Sequence, residues 1–177
     1  TTEIYTLSLH DALPIWVAEA VLACLPEPRA IYPAKEAPDP ADCDFLALGC
    51  WIDKGTADAE SLAYFQRVKG RRVGVFITLG AYPDSEHALE CVQRVREQLE
   101  GNQVLGHFIC QGAIDPQLVR WMEMLPENHP HHMDQDRRDR IQEAANHPDA
   151  RDLERAQDIF RNMLAVLAEV VPQGEDS

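Results

Sequence analysis

The sequence has few of the features that mark nucleic-acid-binding, membrane or disulfide-rich secreted proteins. Its 16 lysines and arginines are outnumbered by 30 aspartates and glutamates, and the formal net charge is -14. An acidic surface of this size repels nucleic-acid and lipid phosphates and suits basic partners, although it also serves general solubility. No stretch approaches the roughly 18 consecutive apolar residues of a membrane helix. We therefore expect a soluble protein with no nucleic-acid or membrane partner.

Paired cysteines are also absent. The five cysteines lie far apart, their number is odd, and they contain no CxxC motif. This usage predicts a reducing compartment, the cytoplasm, and isolated thiols near apolar runs are usually small buried hydrophobes. A redox role for one of them is the less favoured alternative.

Methionine is missing from the first 121 positions, since Met122 is the first in the chain. Residues 1–15, "TTEIYTLSLHDALPI", match one translated frame of a common short-read sequencing adapter. The alternative is an ordinary N-terminal strand and turn. We expect this segment to be non-native, so that fold and function are argued from Trp16 onward.

Between residues 16 and 112, helical and strand-like hydrophobic patterns alternate. Amphipathic helices have a period of 3.6, and short continuous apolar runs are typical of strands buried on both faces. The alternation predicts βαβ units on a parallel sheet, with right-handed crossovers that cover both of its faces. The predicted helices are 16–25, 58–70 and 83–100, and the predicted strands are 29–34, 44–51, 71–80 and 103–112.

After Gly112 the pattern predicts helices only. These cover residues 115–125, 134–146 and 148–171, and they form a helical extension that begins at about residue 113. The last of them carries an apolar stripe at helical spacing. We expect the tail 172–177 to be disordered.

Two unusual loops follow predicted strands, and each carries one aromatic residue. Trp51 lies in "GCWIDKGTAD" and Tyr82 in "TLGAYPDSEHA". Ligands of open α/β sheets bind at the carboxyl ends of the strands, where two rings could hold a flat heterocycle between them. Gly49, Gly55 and Gly80 let the backbone approach such a group closely. The alternative is that each ring merely covers the edge of the sheet.

For several polar residues near these loops, the sequence allows two alternative roles. Asp53 and Lys54 form either a solvent-facing ion pair or a ligand contact, and Gln111 and Gly112 either border the ligand or begin the next helix. His87 either tunes a ligand's protonation or is a cap or surface residue. The cluster His129, His131 and His132 lacks a nearby cysteine or carboxylate at ligand spacing, so a surface loop is favoured over zinc and no metal is predicted.

The motifs "WIDKGTAD", "VGVFITLGAYPDSEHA", "CQGAIDP" and "NHPHHM" resemble those of the short bacterial flavodoxin-like proteins, including those found beside bilirubin reductases. The resemblance covers residues 16 to about 171 and implies one α/β domain. That domain would be an open parallel sheet of order 2-1-3-4-5, with helices on both faces and a helical C-terminal extension. It also implies an FMN site, with Trp51 and Tyr82 flanking the ring and the backbone of residues 52–56 and 79–82 in contact with it. The cofactor-binding residues expected on this basis are Gly49, Cys50, Trp51, Ile52, Asp53, Lys54, Gly55, Thr56, Thr78, Leu79, Gly80, Ala81, Tyr82, Gln111 and Gly112.

The family's phosphate-binding loop, of the form T-x-T-G-N-T, would stand immediately before Trp16, where the adapter-like segment ends. No GxxxxGK[ST] or GxGxxG motif replaces it downstream. The favoured function is an FMN-binding electron carrier that serves a partner reductase with a basic docking surface, in tetrapyrrole (bilin) reduction. The alternatives are a cofactor-free assembly subunit and a small FMN-dependent reductase that acts directly on a substrate.

Overall fold

The computed structural model describes residues 13–170, with side chains over residues 15–168. The described chain alternates helices with strands up to β4 and is helical afterwards. The α-helices are α1 (Leu13–Cys24), α2 (Ala59–Phe65), α3 (Glu86–Gln98), α4 (Pro116–Glu123), α5 (Gln135–Ala144) and α6 (Ala150–Val170). The strands are β1 (Phe45–Asp53), β2 (Thr56–Ala57), β3 (Arg72–Leu79) and β4 (Gln103–Gln111), and a 3-10 turn covers Pro40–Asp42.

The strands form one sheet of order β2-β1-β3-β4. Strands β1, β3 and β4 are parallel, whereas β2 is a short antiparallel return beside the end of β1. Trp51 pairs with Thr78, and Leu79 pairs with Gln111. The carboxyl ends of the three parallel strands therefore meet at one edge of the sheet, where ligands of open α/β sheets bind.

Helices cover both faces of the sheet. On one face Leu48 and Val75 pack with Phe65 and Val95, from the α2 and α3 side. On the other face Phe76 packs with residues of α1 and α6. Because successive side chains of a strand point to opposite faces, most residues of the two inner strands, β1 and β3, are buried, whereas β4 at the end of the described sheet is largely only partly buried. The predicted α/β fold, flavodoxin-like with helices on both faces, is confirmed.

Helix α6, the last part of the predicted helical extension, lies close against the sheet. A Cβ atom on Gly74 would stand 2.7 Å from Met163 Sδ, and one on Gly106 would stand 2.9 Å from Met163 Cε. The ring of Phe160 packs edge-on against Phe45 and Phe76. The absence of side chains at the two glycines thus makes room for the helix, and α6 belongs to the core of the domain.

The prediction of a strand at residues 29–34 is wrong, because this segment has no strand structure. Two of its apolar side chains are partly buried without strand pairing, since Ile31 packs against the core on the α1 and α6 side and Tyr32 against the core on the other side. Pro33 also lacks the amide proton that a ladder needs. The predicted sheet has five strands in the order 2-1-3-4-5. The described residues contain the third, fourth and fifth of these strands, which are β1, β3 and β4 of the structure.

Some predictions concern segments that lie outside the described residues. Residues 1–12 of the adapter-like segment and the tail 172–177 are among these, whereas residues 13–15 form the first turn of α1. Over residues 13–170, no helix combines the length and the apolar character that crossing a bilayer requires.

Candidate functional site

A cavity of about 330 Å³ opens at the carboxyl edge of the sheet. Three chain segments build it, and each one follows a parallel strand. The lining residues are Trp51, Ile52, Asp53, Thr78, Leu79, Gly80, Gly112, Ala113, Ile114, Asp115 and Leu118. The walls are mostly apolar, with the carboxylates of two aspartates among them, as in a pocket for a flat organic group.

The first wall ends in a tight hairpin between β1 and β2. Asp53 pairs with Thr56, and the two residues between them have positive φ, 50° at Lys54 and 83° at Gly55. Two such residues form the two-residue turn whose twist matches that of paired strands, and glycine suits the second position. Arg94 of α3 donates a 3.2 Å hydrogen bond to the Gly55 carbonyl and thereby holds the hairpin tip.

Asp58 fixes the base of the same hairpin. Its buried carboxylate accepts hydrogen bonds from the Trp51 backbone at 3.3 Å, the Ser61 backbone at 3.0 Å and the Ser61 hydroxyl at 2.7 Å. The Asp58 amide donates in turn to the Trp51 carbonyl at 3.0 Å. One aspartate therefore caps α2 and fixes the backbone of Trp51.

The second wall is the loop 80–85 between β3 and α3. A Cβ atom on Gly80 would overlap the Ile114 side chain, so the two segments are in direct contact here. The Tyr82 ring is 39 % exposed, and its hydroxyl donates a hydrogen bond to Glu143 of α5. This hydrogen bond raises the pKa of Tyr82, because the neighbouring carboxylate favours the protonated phenol. The backbone of the loop is closed locally, because the Ser85 amide and hydroxyl donate to the Tyr82 carbonyl at 3.1 and 2.6 Å, whereas Gly80 and the Tyr82 side chain meet residues of the helical segment.

The third wall is the segment between β4 and α4. Gly112 donates a 2.9 Å backbone hydrogen bond to Leu79, which extends the pairing of β3 with β4. Asp115 then caps α4 by accepting a 2.7 Å hydrogen bond from Gln117. This cap starts α4 beside the cavity, so that Ile114 and Leu118 reach the opening.

Seven of the fifteen predicted site residues line the cavity together: Trp51, Ile52, Asp53, Thr78, Leu79, Gly80 and Gly112. The other eight lie nearby without lining it. Gly49 and Cys50 are buried in β1; Lys54, Gly55 and Thr56 form the hairpin turn; and Ala81, Tyr82 and Gln111 lie beside the walls. Their contact with a cofactor remains a prediction.

Three of these eight have buried polar or reactive atoms, namely Cys50, Thr56 and Gln111, and the Thr56 hydroxyl oxygen is buried without a hydrogen-bond partner. Burial raises the pKa of the Cys50 thiol well above its usual value, which keeps it protonated. Gln111 is 4 % exposed, and its amide nitrogen Nε2 is buried without a hydrogen-bond partner. Such an atom costs free energy wherever it stays unpaired.

Sequence reasoning missed four cavity residues, Ala113, Ile114, Asp115 and Leu118. A signal was available, because they follow Gly112 directly at an edge already expected to bind a ligand. The histidines lie elsewhere. The His87 imidazole is 3.5 Å from Cys91 Sγ on α3, and His132 Nδ1 is 2.8 Å from the Leu125 carbonyl.

One His and two Asp residues lie close enough together to hold a metal ion, but they have structural roles in the described chain. His147, Asp149 and Asp152 place ligand atoms within 4.8 Å of one another. Asp149 accepts hydrogen bonds from the backbone of Arg151 and Asp152 at the start of α6. Asp152 accepts from the Asp149 backbone and contacts His147 Nδ1 at 2.5 Å. These contacts cap a helix and account for the cluster.

Comparison with known proteins agrees with this geometry. The chain is 29% identical over 126 residues to the flavodoxin-like domain-containing protein BilS of Clostridioides difficile (strain CD3), covering 68% of this chain and 70% of that protein. Oxidised Flavodoxin 2 from Bacillus cereus has the same fold, with a TM-score of 0.60 at 13% identity, covering 94% of this chain and 99% of that one. An azoreductase from Bacillus anthracis str. Sterne gives a TM-score of 0.54 at 10% identity, covering 92% and 100%. The flavodoxin domain family matches residues 15–161. The chain therefore belongs to the flavodoxin domain family.

Proposed function

We propose that this protein binds FMN in the cavity at the carboxyl edge of the sheet and carries electrons to a partner reductase. The observation that carries the proposal is the cavity itself, which three strand ends and an apolar lining form in a flavodoxin-type domain. Bound FMN would supply the electron-carrying chemistry. The protein supplies position, exclusion of water and electrostatics.

The residues present fit the ring portion of FMN. Trp51 offers a flat aromatic face, and Leu118 supplies apolar surface from another wall. Gly80 and Gly112 have no side chains to narrow the opening, and backbone groups there can approach a heterocycle. An aromatic face stacked on another ring contributes roughly 0.5 to 1.5 kcal/mol beyond the burial of its area. These four residues would therefore hold the ring.

The charged residues of the cavity set its electrostatics. Asp53 and Asp115 line it, and among the residues with described side chains the lining includes no lysine or arginine. Two carboxylates disfavour the build-up of negative charge on a bound group, because like charges repel more strongly where water is partly excluded. The protein would therefore lower the reduction potential of its cofactor. The phosphate portion of the site is expected before Trp16 and lies outside the described residues.

The partner we propose is a cytoplasmic reductase with a basic docking surface. The formal net charge of -14 supports this choice, because oppositely charged surfaces steer transient electron-transfer partners together. None of the five cysteines, all of which lie in the described part of the chain, forms a disulfide, which suits a reducing compartment. The resemblance to flavodoxin-like proteins found beside bilirubin reductases supports a tetrapyrrole (bilin) as that reductase's substrate.

A second candidate is a reductase that acts on its substrate without a partner protein. It is favoured by Ile114 and Leu118, because they form a wall of the cavity that a substrate could contact. Turnover of NAD(P)H with a soluble acceptor and no second protein would distinguish it from a carrier.

The proposal is tested by flavin binding to the purified chain. FMN and riboflavin are titrated separately, with the change in the flavin's own fluorescence as the readout, so that the signal does not depend on the tryptophans that are substituted. Riboflavin lacks the phosphate, so it probes the cavity independently of any phosphate loop. We expect both flavins to bind, and we expect Trp51→Ala to weaken both about tenfold through the loss of stacking.

Trp121→Ala is the matched control, because Trp121 is exposed and does not line the cavity. It should leave flavin affinity within about twofold of the parent chain. Circular dichroism checks that each variant is folded. A folded parent chain that takes up neither flavin would overturn the proposal, and equal effects of the two tryptophan variants would remove Trp51 from the site.

A further inference from the structure

Exposed apolar side chains are concentrated along α4. Leu118 is 46 % exposed, Trp121 is 43 % exposed, and Met124 at the end of the helix is 77 % exposed. These three are among seven large apolar residues that are exposed in the described part of the chain. They follow one another at spacings of three, so they share one side of a helix of eight residues. We call these three residues the α4 patch.

The α4 patch continues into an exposed group of rings. The Trp121 ring centroid is 6.0 Å from that of His129 and 6.3 Å from that of His131, and the two imidazole rings are 5.7 Å apart. Tryptophan and histidine have apolar bodies with polar tips, and tryptophan is among the residues that dominate protein interfaces. An adjoining side of α4 is anchored, because Met122 is buried.

The α4 patch is also continuous with the cavity. Leu118 belongs to both, since it lines the cavity and is exposed at its mouth. A surface that covers Trp121 and Met124 would therefore lie beside the opening of the cavity. Contiguous apolar surface next to a ligand pocket is typical of an interaction site rather than of scattered exposure.

Charge favours one occupant of the α4 patch over the others. Two copies of a chain with a net charge of -14 repel each other, and an anionic lipid surface repels each copy. A basic protein is attracted instead, and apolar contacts at the centre of the patch supply the short-range part of binding.

We propose that the α4 patch is the docking surface for an electron-accepting protein whose contact face is apolar at its centre and basic at its rim. The electron-accepting character of that partner rests on the proposed function. The surface itself rests on the exposure of Leu118, Trp121 and Met124 and on the charge of the chain.

The test uses cytochrome c, a small basic haem protein, as the probe. The isotopically labelled chain without added flavin is titrated with oxidised cytochrome c and followed by two-dimensional NMR, and calorimetry at low ionic strength gives the Kd. We expect signals of residues 116–124 and the Trp121 indole to shift. We also expect the double variant Trp121→Ser with Met124→Ser to bind about tenfold more weakly.

The control is the double variant Leu89→Ser with Val166→Ser. It removes two apolar side chains that are 63 % and 52 % exposed on α3 and α6, away from α4. Its Kd should stay within about twofold of the parent value. Equal weakening by the two double variants, or shifts that avoid α4, would overturn the proposal.

The oligomeric state gives a further outcome. If light scattering shows a dimer that the Trp121 and Met124 double variant abolishes, the α4 patch is a self-association surface and the proposal is wrong. The docking experiment uses the chain without flavin. Its result can therefore be interpreted even if the chain does not bind flavin. Docking on α4 without flavin uptake would refute the cofactor proposal alone.

Discussion

The two loops that carry Trp51 and Tyr82 follow neighbouring strands, yet they are held in different ways. The hairpin that follows Trp51 is closed mainly by contacts within its own segment, through a two-residue turn and the buried Asp58, and Arg94 of α3 adds one long-range contact at its tip. The loop of Tyr82 has a local turn closed by Ser85, but its cavity-side contacts come from distant residues, since Ile114 lies over Gly80 and Glu143 binds the Tyr82 hydroxyl.

This difference shows how one sheet can present two kinds of cavity wall. A wall made by local hydrogen bonds is set as soon as β1 and α2 form. A wall made by long-range contacts depends on where α4 and α5 pack, so it can change when that segment moves or is mutated. We therefore expect substitutions in the two loops to differ in how much they change the stability of the protein.

The largest effect is expected from Asp58→Ala. It removes the α2 cap and leaves the Ser61 hydroxyl and the Trp51 amide buried without this acceptor, at a cost of about 3 kcal/mol in the free energy of unfolding. Urea unfolding measures the change. Asp134→Ala is the matched control, because Asp134 caps α5 from an exposed position, and it should cost about 1 kcal/mol. Equal costs would show that the buried contacts of Asp58 contribute little.

An intermediate effect is expected from Gly80→Ala. The added Cβ overlaps Ile114, and relief of this overlap costs about 2 kcal/mol. Pairing it with Ile114→Ala should recover part of the loss, so that the double variant is more stable than the sum of the single changes predicts. Strict additivity of the two changes would contradict the contact between these loops.

The smallest effect is expected from Glu143→Gln, which removes the carboxylate that raises the pKa of Tyr82. The pKa should fall toward the ordinary tyrosine value of about 10, and titration of tyrosinate absorbance measures it. Since the folded-state pKa is raised, the stabilisation is complete below pH of about 10 and is lost as pH rises through the folded-state pKa. Glu154→Gln, an exposed change on α6, should leave the titration curve unaltered.

Much of the fold could be predicted because it depends on short-range patterns. A helix was predicted from residue 83, and Ser85, a residue type that favours helix starts, caps α3 with a hydroxyl that accepts a 3.2 Å hydrogen bond from the Ala88 amide. The apolar runs of β1, β3 and β4 predicted strands buried on both faces; β1 and β3 are buried in this way, and β4 is a strand that is only partly buried. The prediction of a strand at residues 29–34 was wrong, because its apolar residues pack against the core without strand pairing.

The candidate site could be predicted only in part. Trp51 and Gly80 were expected at the strand ends, and both line the cavity. The Tyr82 ring was expected to face a ligand, and the structure places its hydroxyl against Glu143 instead of in the cavity lining. Contact of Tyr82 with a cofactor remains a prediction. No local pattern around Tyr82 indicates its partner on α5.

The amino-acid sequence by itself determined the order of helices and strands, the caps at Asp58 and Ser85, and the edge of the sheet where a ligand would bind. These features depend on neighbours in the chain, whose geometry backbone and side-chain chemistry set locally. Only the tertiary structure decided that Ile114 and Leu118 form a wall of the cavity and that α4 keeps an apolar side exposed. The reason is that packing joins residues far apart in the chain, and a local pattern does not specify which of them meet.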